Sequence, residues 1–458
     1  MRNRIILITL AVLIWAGLKT IDSLVTGPEL LFLLAGLVIM MIGHSVWLFG
    51  AQDEWQKKAR RYVRTTVRKQ YPRVRKLLKN KTRVEDGDWH PWVDIFISAK
   101  NEGRVVGNTV KRMFEIDYDQ FYLWVIDDMS DDDMPEVLNK LRKEYPRLRV
   151  VTRPPGSFPG KSAALNDALA LSKGEVVAVF DADAYVEPDF FKKVLPTLAP
   201  EHVGAVQAQK RIFERQTETL PRFQDAEYAL DTYFQVGRDL IGGAVELRGN
   251  GQLIKRNALI DVNGWNNKSI TDDLDLSMRL LINNWDIRFC PQAAVWEEGV
   301  TTVNALMRQR RRWAEGSIRR YLDYIFPLNS PTRLSLVERL DTLVFTVYFL
   351  VPAVVFLEFT NNIIRFLTGT QTYGSFLALG YFFVLWISQV NFFIAVRLYR
   401  GMPPVKAFFH TILVTAYVYG HWVPCILASF SQILFGKQVS TWHRTAHHGH
   451  SEDIEMAA

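Results

Sequence analysis

The chain has 458 residues, 48% of them hydrophobic, a formal net charge of +7 and a mean hydropathy of −0.01. This length and apolar content exclude an intrinsically disordered chain, and the mean hydropathy fits either one mixed globule or a soluble domain averaged with membrane spans. The two cysteines, Cys290 and Cys425, are far apart in the sequence, which excludes a disulfide framework or a cysteine-based zinc site. We expect both to be ordinary buried residues.

Two long apolar runs open the chain, at residues 5–24 and 30–50, and each is close to the roughly 20 residues that cross a bilayer as a helix. They predict a transmembrane hairpin over residues 1–50. The alternative is a cleaved secretory signal, because Arg2 and Arg4 precede the first run. No small-residue cleavage site follows that run, however, and the second run comes at once.

A strongly basic segment follows, within a predicted linker over residues 51–90. From Lys57 to Arg83, here called the basic arm, the chain has thirteen Lys or Arg residues and no acidic residue. Apolar residues recur three or four positions apart, as in an amphipathic helix that is interrupted or bent at Pro72. We predict that the basic arm lies on anionic lipid headgroups. The alternative is a solvated linker, and nucleic-acid binding is disfavoured because the segment is tethered to a membrane.

Residues 91–300 alternate between strand and helix patterns. The predicted strands cover residues 93–97, 122–126, 148–151, 176–180 and 203–207, and the predicted helices cover residues 103–114, 135–145, 162–172 and 189–198. This order predicts an α/β domain with a mostly parallel sheet and helices on both faces. Ligands of such sheets bind at the carboxyl ends of the strands.

Polar clusters follow three of these strands, at the places where a ligand is expected. They are Asn101-Glu102 after the first strand, Asp127-Asp128 after the second and Asp181-Ala182-Asp183 after the fourth. In the third cluster both carboxylates should project from the strand end into a cleft. Two hard oxygen ligands there suit Mg²⁺ or Mn²⁺ together with a diphosphate, whereas the alternative is a structural turn.

The stretch from Gly156 to Ser162 looks like a phosphate-binding loop but has three rather than four residues between its glycines. Pro159 also removes a backbone N–H that such a loop uses, so an ATPase is disfavoured. Lys161, at the start of a predicted helix, either meets a phosphate with help from the helix N-terminus or is an ordinary helix-start lysine.

Thr271-Asp272-Asp273 opens a predicted helix that runs to about residue 281. Thr271 is a good N-cap and carboxylates in a first turn suit the helix dipole, so these acids need no catalytic role by themselves.

The stretch from Gln309 to Trp313 lies on a predicted helix over residues 304–324, within an interfacial segment over residues 301–342. Gln309, Arg312 and Trp313 are spaced to share one face, while Arg310 and Arg311 are expected to point elsewhere. The alternative is a basic helix on the membrane surface.

Three further apolar runs, at residues 343–367, 376–399 and 408–435, predict a C-terminal transmembrane region over residues 343–436. Flanking Lys and Arg residues place residues 91–300 in the cytoplasm. We predict that the last run is broken at Pro424 into an interfacial or re-entrant piece, which keeps the tail, residues 437–458, on the cytoplasmic side. A single crossing would put the tail outside. The tail histidines His443, His447, His448 and His450 are either metal ligands or, as we expect, part of a mobile tail.

Together these motifs resemble the signature of the membrane-embedded family 2 glycosyltransferases, which include the cellulose, chitin, hyaluronan and poly-N-acetylglucosamine synthases. That signature is N-E, D-D, D-x-D, T-[ED]-D and Q-x-x-R-W, in this order, and the chain contains Asn101-Glu102, Asp127-Asp128, Asp181-Ala182-Asp183, Thr271-Asp272-Asp273 and Gln309 to Trp313. The resemblance covers essentially the whole chain. Lys100 departs from it, because the family often has a Tyr beside the nucleotide there, so no base-stacking role is expected of Lys100.

The resemblance implies a GT-A fold, that of nucleotide-diphospho-sugar transferases, and an inverting transfer from a UDP-sugar. The implied roles are uridine binding for Asp127 and Asp128, donor binding for Lys161, metal and diphosphate binding for Asp181 and Asp183, diphosphate binding for Arg312, base catalysis for Asp273, and acceptor binding for Gln309 and Trp313. The implied metal is Mg²⁺ or Mn²⁺. No protein partner is predicted.

Several stretches are also similar to the cyanobacterial β-monoglucosyldiacylglycerol synthases: residues 248–253, 270–276, 297–302, 312–316, 320–324 and 442–447. This subgroup implies glucose transfer from UDP-glucose to 1,2-diacylglycerol by a multi-pass membrane protein with a cytoplasmic catalytic domain. One alternative is a processive β-polysaccharide synthase, whose spans would line a polar conduit, and a more remote one is a nucleotide-sensing membrane channel. Polar residues in the predicted spans either line such a conduit or bond between helices, namely Asn361, Asn362, Gln389 and Asn391.

Overall fold

The structure is a computed structural model that describes residues 3–9, 12, 16, 89–213, 218–328, 334–370 and 376–436. Most of the predicted N-terminal hairpin lies outside the described residues, as do the basic arm and the tail with its histidines. The described part comprises a short N-terminal helical stretch, an α/β domain and three long C-terminal helices.

An eight-stranded sheet forms the centre of the α/β domain. Its strands are β1 (Val93–Ala99), β2 (Phe121–Asp127), β3 (Leu148–Thr152), β4 (Val176–Phe180), β5 (Tyr185–Val186), β6 (Val203–Ile212), β7 (Gln252–Lys255) and β8 (Asp286–Glu297). They lie in the order β3-β2-β1-β4-β7-β6-β8-β5. The pairs β1–β2, β2–β3, β1–β4 and β6–β8 are parallel, whereas β7 is antiparallel to both neighbours and β5 to β8. The predicted mostly parallel sheet is therefore confirmed.

Helices cover both faces of this sheet. They are α1 (Gly103–Met113), α2 (Met134–Glu144), α3 (Lys161–Leu171), α4 (Phe190–Leu198), α5 (Thr219–Ile241), α6 (Arg256–Asp261), α7 (Asp272–Ile282) and α8 (Val303–Leu328). Side chains of β1 alternate between two cores, since Ile95 and Ile97 pack with α1 and α4 while Phe96 packs with α3 and α7. A strand buried on both faces reads as a continuous apolar run, which explains the apolar sequence of β4. Both cysteines are buried, as expected.

The three C-terminal apolar runs form α9 (Leu336–Leu367), α10 (Phe376–Arg400) and α11 (Pro404–Phe435). Helix α9 begins inside the predicted interfacial segment 301–342, where Ser335 and Glu338 form a capping box. Among the residues that the structure describes, α11 is the one helix long and apolar enough to cross a membrane.

The break predicted at Pro424 is wrong, because α11 is continuous through it. A proline inside a helix removes one hydrogen bond and crowds the carbonyl four residues earlier. Packing compensates on both sides of the proline. Val414 packs against α5 before it, and Ile426 packs against Ile318 and Leu322 of α8 after it.

Candidate active site

The polar clusters at the strand ends meet at one cavity of about 450 Å³. Of the site residues predicted from sequence, those that line it are Asp128, Lys161, Asp181, Asp183, Asp273, Gln309, Arg312 and Trp313. They come from the ends of β2 and β4, the starts of α3 and α7, and the middle of α8. Residues that are far apart in sequence are thus brought to the carboxyl edge of the parallel strands.

Asp127 is the exception, since it does not line the cavity. Its carboxylate accepts a hydrogen bond of 2.9 Å from the Ser130 backbone N–H and shapes the turn after β2. Asp128 forms an ion pair with the buried Arg153 and accepts a 3.0 Å hydrogen bond from the Gly160 N–H. This contact fixes the start of α3, and with it Lys161, against the end of β2.

Lys161 and the two carboxylates of the D-x-D motif share one side of the cavity. Lys161 Nζ contacts Asp181 Oδ1 and donates a 3.2 Å hydrogen bond to the Gly249 carbonyl. Burial opposes the charge of Lys161, but Asp181 and Asp272 outweigh it and raise its pKa above the ordinary value. Asp183 Oδ2 accepts a 2.9 Å hydrogen bond from the Glu298 N–H. A lysine cation therefore lies directly beside Asp181 at the end of β4.

Asp273 lies in the first turn of α7, opposite the loop that precedes β7. Gly249 in that loop has φ +78°, and a Cβ added there would lie 3.2 Å from Asp273 Oδ2, so the close approach requires glycine. Burial, and then the charge of Asp272, raises the pKa of Asp273 to about 6. The Leu274 N–H donates to Asp273 Oδ1 at 2.9 Å and limits that rise. Such a carboxyl is ionised at neutral pH and still accepts a proton readily.

Arg312 lines the same cavity as these carboxylates. Burial lowers its pKa below the ordinary value, and the charges of Asp272, Asp181 and Asp273 offset this in part. A guanidinium stays protonated under such conditions, so Arg312 is a cation held close to the acidic side of the cavity.

The acceptor-side residues predicted on α8 depend on a neighbour that the sequence analysis set aside. The guanidinium of Arg310 stacks on the Trp313 ring, 4.1 Å from its centroid, and donates a 2.6 Å hydrogen bond to Gln309 Oε1. As expected, Gln309, Arg312 and Trp313 line the cavity and Arg310 and Arg311 do not. The contacts of Arg310 with Gln309 and Trp313 were not expected, and Arg311 is exposed. Residues three apart on a helix are neighbours, so the spacing of Arg310 and Trp313 in the sequence already allowed this contact to be predicted.

Several lining residues were not found from sequence. Arg248 pairs with Asp231 at 2.8 Å, and its backbone N–H donates to Gln207 Oε1 at 2.7 Å, which holds the loop before β7. Lys210 pairs with Glu297 at 2.8 Å and lies 5.8 Å from the centroid of the Trp313 ring. In the sequence, the closely spaced Gly249 and Gly251 signal this loop, and both have positive φ in the structure.

The cavity continues from its charged side toward the C-terminal helices. Apolar and aromatic side chains line this part, including Leu230, Phe345, Phe392, Trp422, Val423 and Ile426. One cavity therefore joins a carboxylate-rich end to an apolar end.

The donor set at the end of β4 is compatible with a metal that is shared with a ligand. Within the described residues, no group of three or more His, Cys, Asp or Glu side chains is placed to hold a metal ion. Mg²⁺ commonly takes one or two protein carboxylates and completes its shell with water and substrate phosphates. Asp181 and Asp183, on one wall of the cavity, fit that mode.

Comparisons with known proteins agree with this geometry. A family model described as glycosyltransferase like family 2 matches residues 90–316. A beta-monoglucosyldiacylglycerol synthase of Synechocystis sp. is 38% identical over 376 residues, which are 80% of this chain and 76% of that protein. The enzyme of the same name from Trichormus variabilis is 38% identical over 79% of this chain and 78% of its own length.

A more distant relative is a poly-beta-1,6-N-acetyl-D-glucosamine synthase of Staphylococcus epidermidis, 27% identical over 60% of this chain and 67% of its own length. Among solved structures, the mannosyltransferase PcManGT from Pyrobaculum calidifontis in complex with GDP-Man and Mn²⁺ matches with a TM-score of 0.52 and 18% identity. That match covers 88% of this chain and 99% of the mannosyltransferase chain, and it supports the GT-A fold.

Proposed function

The chain belongs to glycosyltransferase family 2, and we propose that it transfers glucose from UDP-glucose to 1,2-diacylglycerol, with inversion, to give β-monoglucosyldiacylglycerol. The observation that carries the proposal is that one cavity is lined by Asp273, by the donor-side cations Lys161 and Arg312, and by apolar side chains that include Phe392 and Ile426 of the C-terminal helices. Relatives that match most of the chain at 38% identity bear the name of this synthase. Membership of this family of enzymes disfavours the remote alternative, a nucleotide-sensing channel.

Asp273 is the general base in the proposed reaction. An acceptor hydroxyl is a weak nucleophile, and a positioned carboxylate that takes its proton contributes about 10²–10⁴ in rate. As the hydroxyl oxygen bonds to C1 of glucose, the bond from C1 to the diphosphate oxygen breaks, and its electron pair leaves with UDP. The acceptor proton goes to Asp273, and attack opposite the leaving group gives the β-linkage.

Donor binding is assigned to Asp128, Lys161, Asp181 and Arg312, and Asp127 is assigned an indirect role through the turn that carries Asp128. Lys161 and Arg312 lie on the cavity wall, where their charges stabilise a departing diphosphate. Asp128 lines the cavity, whereas Asp127 shapes the turn beneath it. A Mg²⁺ or Mn²⁺ ion held by Asp181 and Asp183 would supply further positive charge to the diphosphate.

The acceptor would lie along α8, with its hydroxyl at Asp273 and its chains in the apolar end of the cavity. Gln309 and Trp313 line the same cavity. Gln389 in α10 donates a 2.9 Å hydrogen bond to Thr411 Oγ1 in α11. This contact supports a role of Gln389 in bonding between helices rather than in lining a conduit.

The protein is proposed to be a multi-pass membrane protein with a cytoplasmic catalytic domain. Large apolar side chains are exposed on α9 and α11, among them Phe366, Leu367, Phe408, Phe409 and Leu413. Such a surface suits lipid rather than water. The basic arm would add binding to anionic headgroups, at about 1 kcal/mol for each basic residue near the surface.

A product assay with purified protein tests the proposal. Vesicles with and without diacylglycerol, each made with and without anionic lipid, are incubated with radiolabelled UDP-glucose and Mg²⁺. We expect a chloroform-soluble product that requires diacylglycerol and forms faster on anionic vesicles, and none with Asp273→Asn, which should still bind UDP-glucose. Label confined to long chains that form without diacylglycerol would identify the alternative, a processive polysaccharide synthase.

A further inference from the structure

Arg310 is the second residue of the Gln309–Trp313 stretch and the largest side chain in the described part of the chain that is fully buried. Three of its polar or aromatic contacts are with residues that line the cavity. They are the stack on Trp313, the hydrogen bond to Gln309 and a 2.7 Å ion pair with Glu227 of α5. One guanidinium thus touches both residues that are assigned to the acceptor.

Glu227 anchors this guanidinium and joins three helices. Its Oε2 accepts from Arg310, and its Oε1 accepts a 2.8 Å hydrogen bond from the indole N–H of Trp422 in α11. Tyr417 and His421 of α11 approach the same carboxylate at 3.5 and 3.8 Å. Burial alone would raise the pKa of Glu227, but Arg310 and then His421 lower it well below its ordinary value. The Glu227 carboxylate is therefore charged in its ion pair with Arg310.

The shape of arginine matters for this arrangement. The planar guanidinium presents donors in fixed directions while its face stacks on an aromatic ring, whereas a lysine ammonium is a compact point charge. Lysine at position 310 would keep the charge beside Glu227. It would lose the planar stack on Trp313, and with it the fixed orientation of that ring.

We propose that Arg310 and Glu227 are positioning residues, which together hold Trp313 and Gln309 in the orientation that receives the acceptor. The pair touches neither the donor-side carboxylates nor Lys161, so it acts on acceptor binding through Trp313. The proposal rests on the proposed function in one respect, namely that the acceptor lies against Trp313.

The test compares Arg310→Lys with Arg311→Lys, the same change at the exposed neighbouring residue, in full-length protein. Two rates are measured with UDP-glucose: glucose transfer to diacylglycerol vesicles, and the slow release of free glucose without an acceptor. We expect Arg310→Lys to lower the ratio of transfer to hydrolysis about tenfold, through a higher KM for diacylglycerol. Arg311→Lys should leave this ratio as in the wild type.

A second variant, Glu227→Gln, keeps an acceptor for the Trp422 indole but removes the charge that holds Arg310. It should lower the same ratio of transfer to hydrolysis. In the double variant with Arg310→Lys, the ratio should fall by less than the product of the two single fold-changes, because both substitutions act through one contact. The proposal is overturned if Arg310→Lys leaves the ratio of transfer to hydrolysis unchanged, whether both rates stay as in the wild type or fall by the same factor. If the wild type labels polymer instead of lipid, the proposed function fails. The role of Arg310 is then tested by the ratio of transfer to that polymer over hydrolysis, in wild type and Arg310→Lys.

Discussion

At the scale of single residues, the pKa of Asp273 links the geometry of the site to a measurable rate. A carboxyl that serves as the proposed base must be ionised to accept a proton, and a pKa of about 6 keeps Asp273 ionised at neutral pH. Burial is the largest cause of this raised value, and the adjacent Asp272 is the second. The pH dependence of transfer should therefore report on both residues.

We predict that kcat/KM for transfer falls about tenfold per pH unit below pH 6 and levels off above it, because Asp273 becomes protonated as the pH falls. Asp272→Asn removes a charge that raises the pKa of Asp273. The acid limb of the profile, where kcat/KM falls with falling pH, should therefore move to lower pH. The pH profiles of wild type and variant measure this, with Asp119→Asn, on the opposite edge of the sheet, as the control. An acid limb that stays in place or moves to higher pH would remove Asp273 from the base role.

The sequence allowed the carboxylates of the site to be predicted because their motifs are local. Asp181 and Asp273 each follow or open one element, and a short motif marks that position. Glu227 has no such mark, because it lies in mid-helix, and its partners Arg310 and Trp422 are 83 and 195 residues away. Contacts of this kind depend on how three helices pack, which one sequence does not reveal.

At the scale of elements, the contact between α7 and α8 brings Asp273 and Arg312 to the same cavity. Gly316 of α8 lies against Thr271, which precedes α7, and a Cβ on Gly316 would lie 2.3 Å from Thr271 Cγ2 and 2.7 Å from its Oγ1. Real Cβ atoms do not approach so closely, so the absence of a side chain sets the distance between these two helices.

Gly316→Ala should therefore destabilise the protein by about 1–3 kcal/mol through overpacking and lower transfer, because α7 and α8 must separate. Thermal denaturation and the vesicle assay measure the two effects. Gly107→Ala in α1 is the matched control, since its Cβ would meet Val137 Cγ1 at an ordinary 3.6 Å. That change should be neutral or stabilising by up to about 1 kcal/mol. Equal behaviour of the two variants would contradict the packing argument.

Two elements that the sequence analysis did not predict, α5 and β7, lack a clear local pattern for different physical reasons. Helix α5 contacts β6, β8, α10 and α11, so its buried residues lie around most of its circumference and no single apolar stripe marks it. Strand β7 has four residues and is antiparallel to both neighbours, which a βαβ pattern does not anticipate. The alternating elements at residues 93–198 were predictable because each buries one clear face or run.

At the scale of the whole molecule, buried ion pairs join the α/β domain to the C-terminal helices. Arg400 at the end of α10 makes a bidentate contact with Asp225 of α5, at 2.5 and 3.0 Å. Arg238 of α5 pairs with Asp341 of α9 at 2.8 Å. Between these pairs, Tyr233 of α5 packs with Phe392 and other buried residues of α10. The two regions therefore share a core and are not joined by a flexible linker at this interface.

A chain that ends at Leu328 should consequently fail to give a stable domain. It would expose the apolar face of α5 and leave Asp225 without Arg400, and removal of one partner of a buried pair costs about 3–5 kcal/mol. Arg238 would also lose Asp341 and keep Glu246 at 3.4 Å. Together with the exposed apolar surface, this loss is a large fraction of the total stability of about 5–15 kcal/mol that native proteins have. Size-exclusion chromatography in detergent should show aggregates for this chain and a single sharp species for a control chain that ends at Gly436. A monodisperse chain ending at Leu328, with the thermal stability of the control, would mean that the domain folds without α9, α10 and α11.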